Sequence, residues 1–131
     1  MPTLQLQLTP PQPAPRILAL ARELTALTNR ILGKRPEVTA LLVEELATDH
    51  WFIGAAAPRG ATACLEISIT AGTNTAQERQ AFVAGAFSEL QQQLGPLEEA
   101  SYVIVRELPA PDWGYGGRTQ AARRLAATVH A

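Results

Sequence analysis

Leu4, Leu6 and Leu8 alternate with Thr3, Gln5 and Gln7, and further along Leu65, Ile67 and Ile69 alternate with Glu66, Ser68 and Thr70. A period of two puts every second side chain on one face, so both stretches predict half-buried strands. After each, the stride changes. Ile17, Leu20, Leu24, Leu27 and Ile31 recur in steps of three and four, and Phe82, Ala86, Leu90 and Leu94 recur in steps of four with Val83 and Phe87 beside them. Those steps predict two amphipathic helices, each pressing one stripe onto a sheet. Gly33 and Gly95 stand where a left-handed C-terminal residue is wanted, and Thr75 with Glu78 has the spacing of a capping box. A third segment follows in each half, over residues 39–46 and 102–108. Its centres, Ala40-Leu41-Leu42-Val43 and Tyr102-Val103-Ile104-Val105, are almost continuously apolar, the pattern of buried parallel strands.

The two halves repeat each other at a fixed spacing. Val43, Glu45, Leu46, Trp51 and Gly54 recur 62 positions later as Val105, Glu107, Leu108, Trp113 and Gly116, while the first strands recur at an offset of 61. Duplication of a strand-helix-strand unit accounts for these matches. A crossover between parallel strands is right-handed almost without exception, so two such units share a four-stranded sheet with both helices on one face. The expected class is α+β, as a single domain over residues 1–131 with repeats over about 2–60 and 61–117 and a C-terminal tail over 118–131. The linker at 54–60 is too short for a hinge between independent domains, and the proline-rich run at 9–15 enters the first helix as a stiff extended loop. The sheet face away from the helices needs cover. Leu4, Leu6, Leu8 or their strand neighbours are not all expected to fit under two helices, which makes oligomerisation the expected remedy.

Composition narrows the partners. A chain of 131 residues with 47% hydrophobic and 18% charged content buries one sizeable core. A formal charge of −1 offers no electrostatic footprint for nucleic acid or an anionic membrane, so neither partner is expected. Cys64 stands alone and forms no internal disulfide, no apolar run approaches the roughly 20 residues of a spanning helix, and the N-terminus lacks the basic and apolar regions of a signal peptide. A cytoplasmic, soluble protein is the expectation. His50, His130 and Cys64 have no metal-ligand spacing, and Gly114-Tyr115-Gly116-Gly117 lacks the Lys-Ser/Thr of a phosphate loop, so no metal and no cofactor is expected. Cys64 is expected to be an inert, buried strand residue.

Pro2 is the first candidate for chemistry, because removal of Met1 would leave a secondary amine at the start of the first strand. An α-amino group ordinarily titrates at about 7.7 to 8.0, and desolvation disfavours its charged form, so an apolar pocket would make it a neutral base near physiological pH. The repeat counterpart of Pro2, near Ala63 or Cys64, lies mid-chain and has no free amine, so one corner of the duplicated unit supports amine chemistry and the other packs. Trp113 and Tyr115 are expected as an apolar wall beside the amine, and Trp51 as a packing residue. Arg118, after the glycines, would supply a bidentate carboxylate contact, whereas Arg106 is expected to form a surface or intersubunit pair.

Met1-Pro2 opening a strand, the duplicated βαβ unit, Gly33-Lys34-Arg35-Pro36 and the segment PDWGYGGRT at 111–119 together resemble the tautomerase superfamily. Its members include 4-oxalocrotonate tautomerase, macrophage migration inhibitory factor and malonate semialdehyde decarboxylase. The resemblance implies a homotrimer with sites at subunit borders and an N-terminal proline acting as general base and acid. It implies a substrate-binding role for Lys34, which matches the inhibitory factor's pocket lysine. Departures from the pattern bear on the reaction. Residues 70–74 lack the arginine pair of the decarboxylase-like and dehalogenase-like members, and the decarboxylase's acidic residue falls near Val38, with Glu37 beside it. The substrate arginine of the small tautomerases falls at Ala40 or Tyr102, which makes Tyr102 a further substrate-binding candidate. The expected function is proton transfer between carbon and oxygen of a small 2-oxo or enol carboxylate, with Pro2 catalytic and Lys34, Trp113, Tyr115, Arg118 and Tyr102 binding the substrate. The alternatives are a decarboxylase or dehalogenase of the same superfamily using Glu37 or Glu107, and an oligomeric binding protein without catalysis.

Overall fold

The structure, a computed structural model, describes residues 2–130, with side chains through residue 127; Met1 and the His130 side chain lie outside the described set. The chain runs β1 (Thr3–Thr9), α1 (Ala14–Leu32), β2 (Ala40–Glu45), β3 (Thr62–Thr70), α2 (Ala76–Leu94) and β4 (Tyr102–Leu108). It ends in a small hairpin, β5 (Gly114–Tyr115) and β6 (Arg118–Thr119), and a third helix, α3 (Gln120–His130). The segment expected as a plain tail therefore carries structure of its own.

The main sheet has the order β2-β1-β3-β4. Each repeat contributes a parallel pair, β1 with β2 and β3 with β4, and the repeats join antiparallel through β1 and β3. Alternation along the central strands decides the core. Leu4, Leu6, Leu8, Leu65, Ile67 and Ile69 all face the helices and are at most 1% exposed, packed against Leu20, Leu24, Leu27, Phe82, Ala86 and Leu90. Fully burying one such side chain contributes about 1.5–3 kcal/mol, so this layer supplies the bulk of the driving force. The expectation that two helices could not cover these leucines is corrected: all three lie under them. The open face instead carries their alternates, Gln5, Gln7, Cys64, Glu66 and Ser68. Cys64 is accordingly half-buried rather than buried, with its thiol pushed up by burial and by Glu66.

The apolar runs expected to be buried strands are the two edges. Leu42 on β2 is 57% exposed and Tyr102 on β4 is 63% exposed. Continuous apolar character there reflects two half-covered faces at a sheet border, not burial in its centre.

Local chemistry sets the helix limits. Gly33 ends α1 in the left-handed region at φ 69°, its N–H donating to Asn29 O at 2.9 Å. Thr75 and Glu78 form the expected capping box, Glu78 N donating to Thr75 Oγ1 at 3.1 Å and Thr75 N donating to Glu78 Oε1 at 2.8 Å. Gly95 departs from expectation, since with φ 85° and ψ −171° it turns straight into extended chain. Gly85, in the middle of α2, faces α1: a Cβ there would stand 3.1 Å from Ile31 Cδ1 and 3.3 Å from Leu27 Cδ1. Close helix approach accounts for a residue that weakens a helix interior by about 0.5–1 kcal/mol.

Candidate active site

Pro2 lies at one end of the sheet. Its carbonyl accepts from Ala40 N at 3.4 Å, and Thr3 is paired with both Ala40 and Ser68, so Pro2 continues the ladder between Thr39 and Ile69. Period-two alternation puts it on the same side as Leu4, toward the helices, and it is buried. The same end of the sheet receives the C-terminus of α1, the N-terminus of α2, the loop after β3 and the end of β4 at Leu108.

Lys34 belongs to this end. The left-handed turn at Gly33 carries the chain out of α1, Asn29 Nδ2 holds the Lys34 carbonyl at 3.0 Å, and Lys34 Nζ donates to Thr73 Oγ1 at 2.9 Å. Asn74, nearly buried, donates from Nδ2 to Leu32 O at 3.0 Å, so the loop after β3 is fastened to the end of α1 twice. Burial pushes the Lys34 ammonium below its ordinary value, Glu78 opposes that shift and Arg124 adds to it. Neither Thr73 nor Asn74 stands out in the sequence, because a hydroxyl that meets a distant lysine and an amide that meets a distant carbonyl have no local signature.

Glu107 and Glu37, the acids named for the alternative reactions, are both engaged. Glu107 meets Arg79 Nη1 at 3.5 Å and accepts from Gly72 N at 3.2 Å. Glu37 is exposed and pairs with Arg35 at 3.4 Å. Arg106 pairs with Glu66 on the open face at 3.3 Å, the surface pair expected of it.

Trp113, Tyr115 and Arg118 fall together in the hairpin segment that follows β4. Pro111, Asp112, Trp113, Gly114, Arg118 and Thr119 border a shallow cavity of about 210 Å³. Tyr115 has a structural partner: the Arg123 guanidinium lies 3.7 Å from its ring centroid and Arg123 Nη2 donates to its carbonyl at 3.0 Å. Arg123 has no distinguishing signal in the sequence, where it stands beside Arg124 as one more charge. Gly114 is required by geometry, since a Cβ there would stand 1.8 Å from Arg118 O. Tyr102 is not brought to Pro2 within the chain. It opens β4 opposite Cys64, which pairs with Gln7, five residues along β1 from Pro2 and therefore about 17 Å away along the strand. Trp51 likewise follows β2 at the far end, near Thr9, whose hydroxyl meets that of Thr48 at 3.0 Å. The duplicated tryptophans thus serve opposite ends of the sheet.

This architecture recurs in solved structures. A fused 4-OT, an asymmetric trimer, superimposes with a TM-score of 0.84 at 24% identity, covering 92% of this chain and 98% of that one. A protein inactivated by 2-oxo-3-pentynoate gives 0.84 at 16% identity over 92% and 98%. A macrophage migration inhibitory factor-like protein from Entamoeba histolytica gives 0.76 at 17% identity over 90% and 97%. The chain has the tautomerase-superfamily fold. By sequence alone it matches no family model and no curated protein. The tautomerase fold is therefore carried here by sheet order, helix placement and core pattern, with few identical residues. No helix among the described residues is long and apolar enough to cross a membrane.

Proposed function

We propose that this chain is a tautomerase: it moves a proton between carbon and oxygen of a small 2-oxo or enol carboxylate, with the Pro2 amine, exposed by removal of Met1, as general base and then acid. The observation that carries the reading is the position of Pro2, buried at the head of a central strand and at the same end of the sheet as Lys34. A β-ladder holds the amine in place, and burial of Pro2 would disfavour the ammonium form. A positioned base contributes roughly 10² to 10⁴ in rate, and charge stabilisation of the developing enolate supplies much of the remainder. Lys34, at the same end of the sheet, is suited to hold the substrate's carboxylate beside the amine. Trp113 and Arg118, in the segment after β4, are the proposed wall and secondary carboxylate contact, and Tyr102 and Tyr115 act from a neighbouring subunit or by packing. The active form is a homotrimer, as in the fused 4-OT structure, and it works in the cytoplasm. Glu37 and Glu107 are each tied to an arginine, which favours tautomerisation over a decarboxylase or dehalogenase reaction that needs a free acid.

The test uses mass-verified protein lacking Met1, the Pro2→Ala variant, and a form carrying one extra N-terminal residue, each assayed with phenylpyruvate by enol absorbance. Turnover by the first alone is expected, and covalent labelling by 2-oxo-3-pentynoate should map to Pro2. Equal activity in all three proteins rules out Pro2 as the base.

A further inference from the structure

Lys34 is the single lysine of a sequence that otherwise uses arginine for its positive charge. Its surroundings differ from those of the cations nearby. Arg35 meets the carboxylate of Glu37, and Arg79 meets that of Glu107, whereas the Lys34 ammonium donates to a hydroxyl, Thr73 Oγ1, at 2.9 Å. That hydroxyl spends its own proton on Thr70 O at 2.6 Å, so toward Lys34 it acts as acceptor. The Thr73 backbone is placed by its neighbour, since Asn74 Nδ2 bonds Leu32 O across the gap between the loop and α1. A neutral acceptor fixes the direction of an ammonium and leaves its charge uncancelled. A carboxylate at position 73 would fix the direction but cancel the charge, and an arginine would offer no acceptor.

We infer that Thr73 is the positioning residue that aims the Lys34 ammonium at the single carboxylate of a monoanionic substrate. The inference rests on the tautomerase reading for its substrate class. Thr73 stands three residues past Thr70, which lies one strand position beyond the residue beside Pro2, so the aimed ammonium and the amine share one end of the sheet. The loop over residues 70–74 contributes hydroxyls and an amide there and no second cation, which suits one carboxylate better than two.

Because there is one lysine, protein labelled with ¹³C-lysine reports its titration as one resonance. The groups acting on it are Glu78 from α2 and Arg124 from α3, with Arg35 and Glu37 on its own segment already paired. Thr73→Val removes the acceptor, which favoured the charged form, and should lower the Lys34 titration midpoint by about one pH unit, whereas Thr73→Ser should leave it in place. Phenylacetate, an unreactive monocarboxylate, should perturb the Lys34 resonance in the parent and in Thr73→Ser about tenfold more tightly than in Thr73→Val, and glutarate should bind no tighter than phenylacetate. With phenylpyruvate, Thr73→Val should raise KM about tenfold with kcat within about twofold. An unchanged midpoint or unchanged phenylacetate affinity in Thr73→Val overturns the inference, as does tighter binding of glutarate. Absence of phenylpyruvate turnover in the parent defeats the tautomerase reading alone, because titration and phenylacetate binding still decide the role of Thr73.

Discussion

Arg123 lies face-on to Tyr115, its guanidinium carbon 3.7 Å from the ring centroid, while its Nη2 donates to the Tyr115 carbonyl. One side chain thus fastens α3 to the hairpin by stacking and by a hydrogen bond. The fit is close: a Cβ on Gly116 would come within 2.8 Å of Arg123 Nη2. Arg123→Ala should loosen this unit at a cost of about 1–3 kcal/mol. Hydrogen exchange should show lost protection over residues 114–122 with the main sheet unaffected; uniform protection in parent and variant would contradict the assignment.

Trp113 follows β4 at the Pro2 end of the sheet, and Trp51 follows β2 at the other. Trp113→Ala is therefore expected to reduce turnover by tenfold or more, and Trp51→Ala by about twofold, once melting curves show both variants folded. Equal losses in activity accompanied by equal losses in stability would assign packing roles to both.

The capping box gives a pH-dependent contribution with a defined sign. The Glu78 carboxyl is held below its ordinary value of 4.5, chiefly by the Thr75 backbone N–H and then by Asn74. A carboxylate depressed in the folded state contributes its stability above the unfolded value and loses it as pH falls through the lower, folded one. The difference in melting temperature between the parent and Glu78→Gln should thus be full at neutral pH and shrink below about pH 4.5. Thr75→Ala should cost about 1 kcal/mol at neutral pH, read by urea unfolding.

Leu42 leaves 57% of its surface exposed on an edge strand whose outer side has no sheet partner among the described residues. Light scattering should give the mass of a trimer for the parent. Leu42→Glu should shift the mass toward the monomer, by placing a charge where the proposed interface excludes water. A parent that is monomeric at micromolar concentration would sink both the assembly and any site completed by a neighbour.

Much of this fold is legible in the residues. Two periods, alternating in Leu4 to Leu8 and helical in Leu20 to Leu27, identify strands and helices without reference to distant contacts. The repeat then supplies topology, because a crossover has one hand. The sidedness of the sheet was less legible: alternation separates Leu6 from Gln7 but does not say how much area two helices cover, and here they cover every central leucine. The edge strands misled for a related reason, since a run such as Ala40-Leu41-Leu42-Val43 looks alike whether it is covered by its own chain or left at a border. In the site, Pro2 could be nominated from its place at the head of a strand, and Lys34 from its match to the inhibitory factor's pocket lysine. Thr73, Asn74 and Arg123 could not, because their roles depend on partners 39, 42 and 8 residues away.

Gln5 pairs with Glu66 across the centre of the sheet, and at the offset of 61 that relates the two first strands these are also each other's repeat equivalents. The pseudo-twofold axis of the chain therefore passes through this pair and exchanges the Pro2 end with the end at Ala63, where the backbone runs on uninterrupted from Thr62. On the proposed reading, symmetry of shape is not matched by symmetry of reactivity: a trimer presents six related corners and three amines. Inactivator stoichiometry then has an integer answer, one equivalent per chain, and the three silent corners are free to accumulate substitutions that the amine-bearing ones do not tolerate.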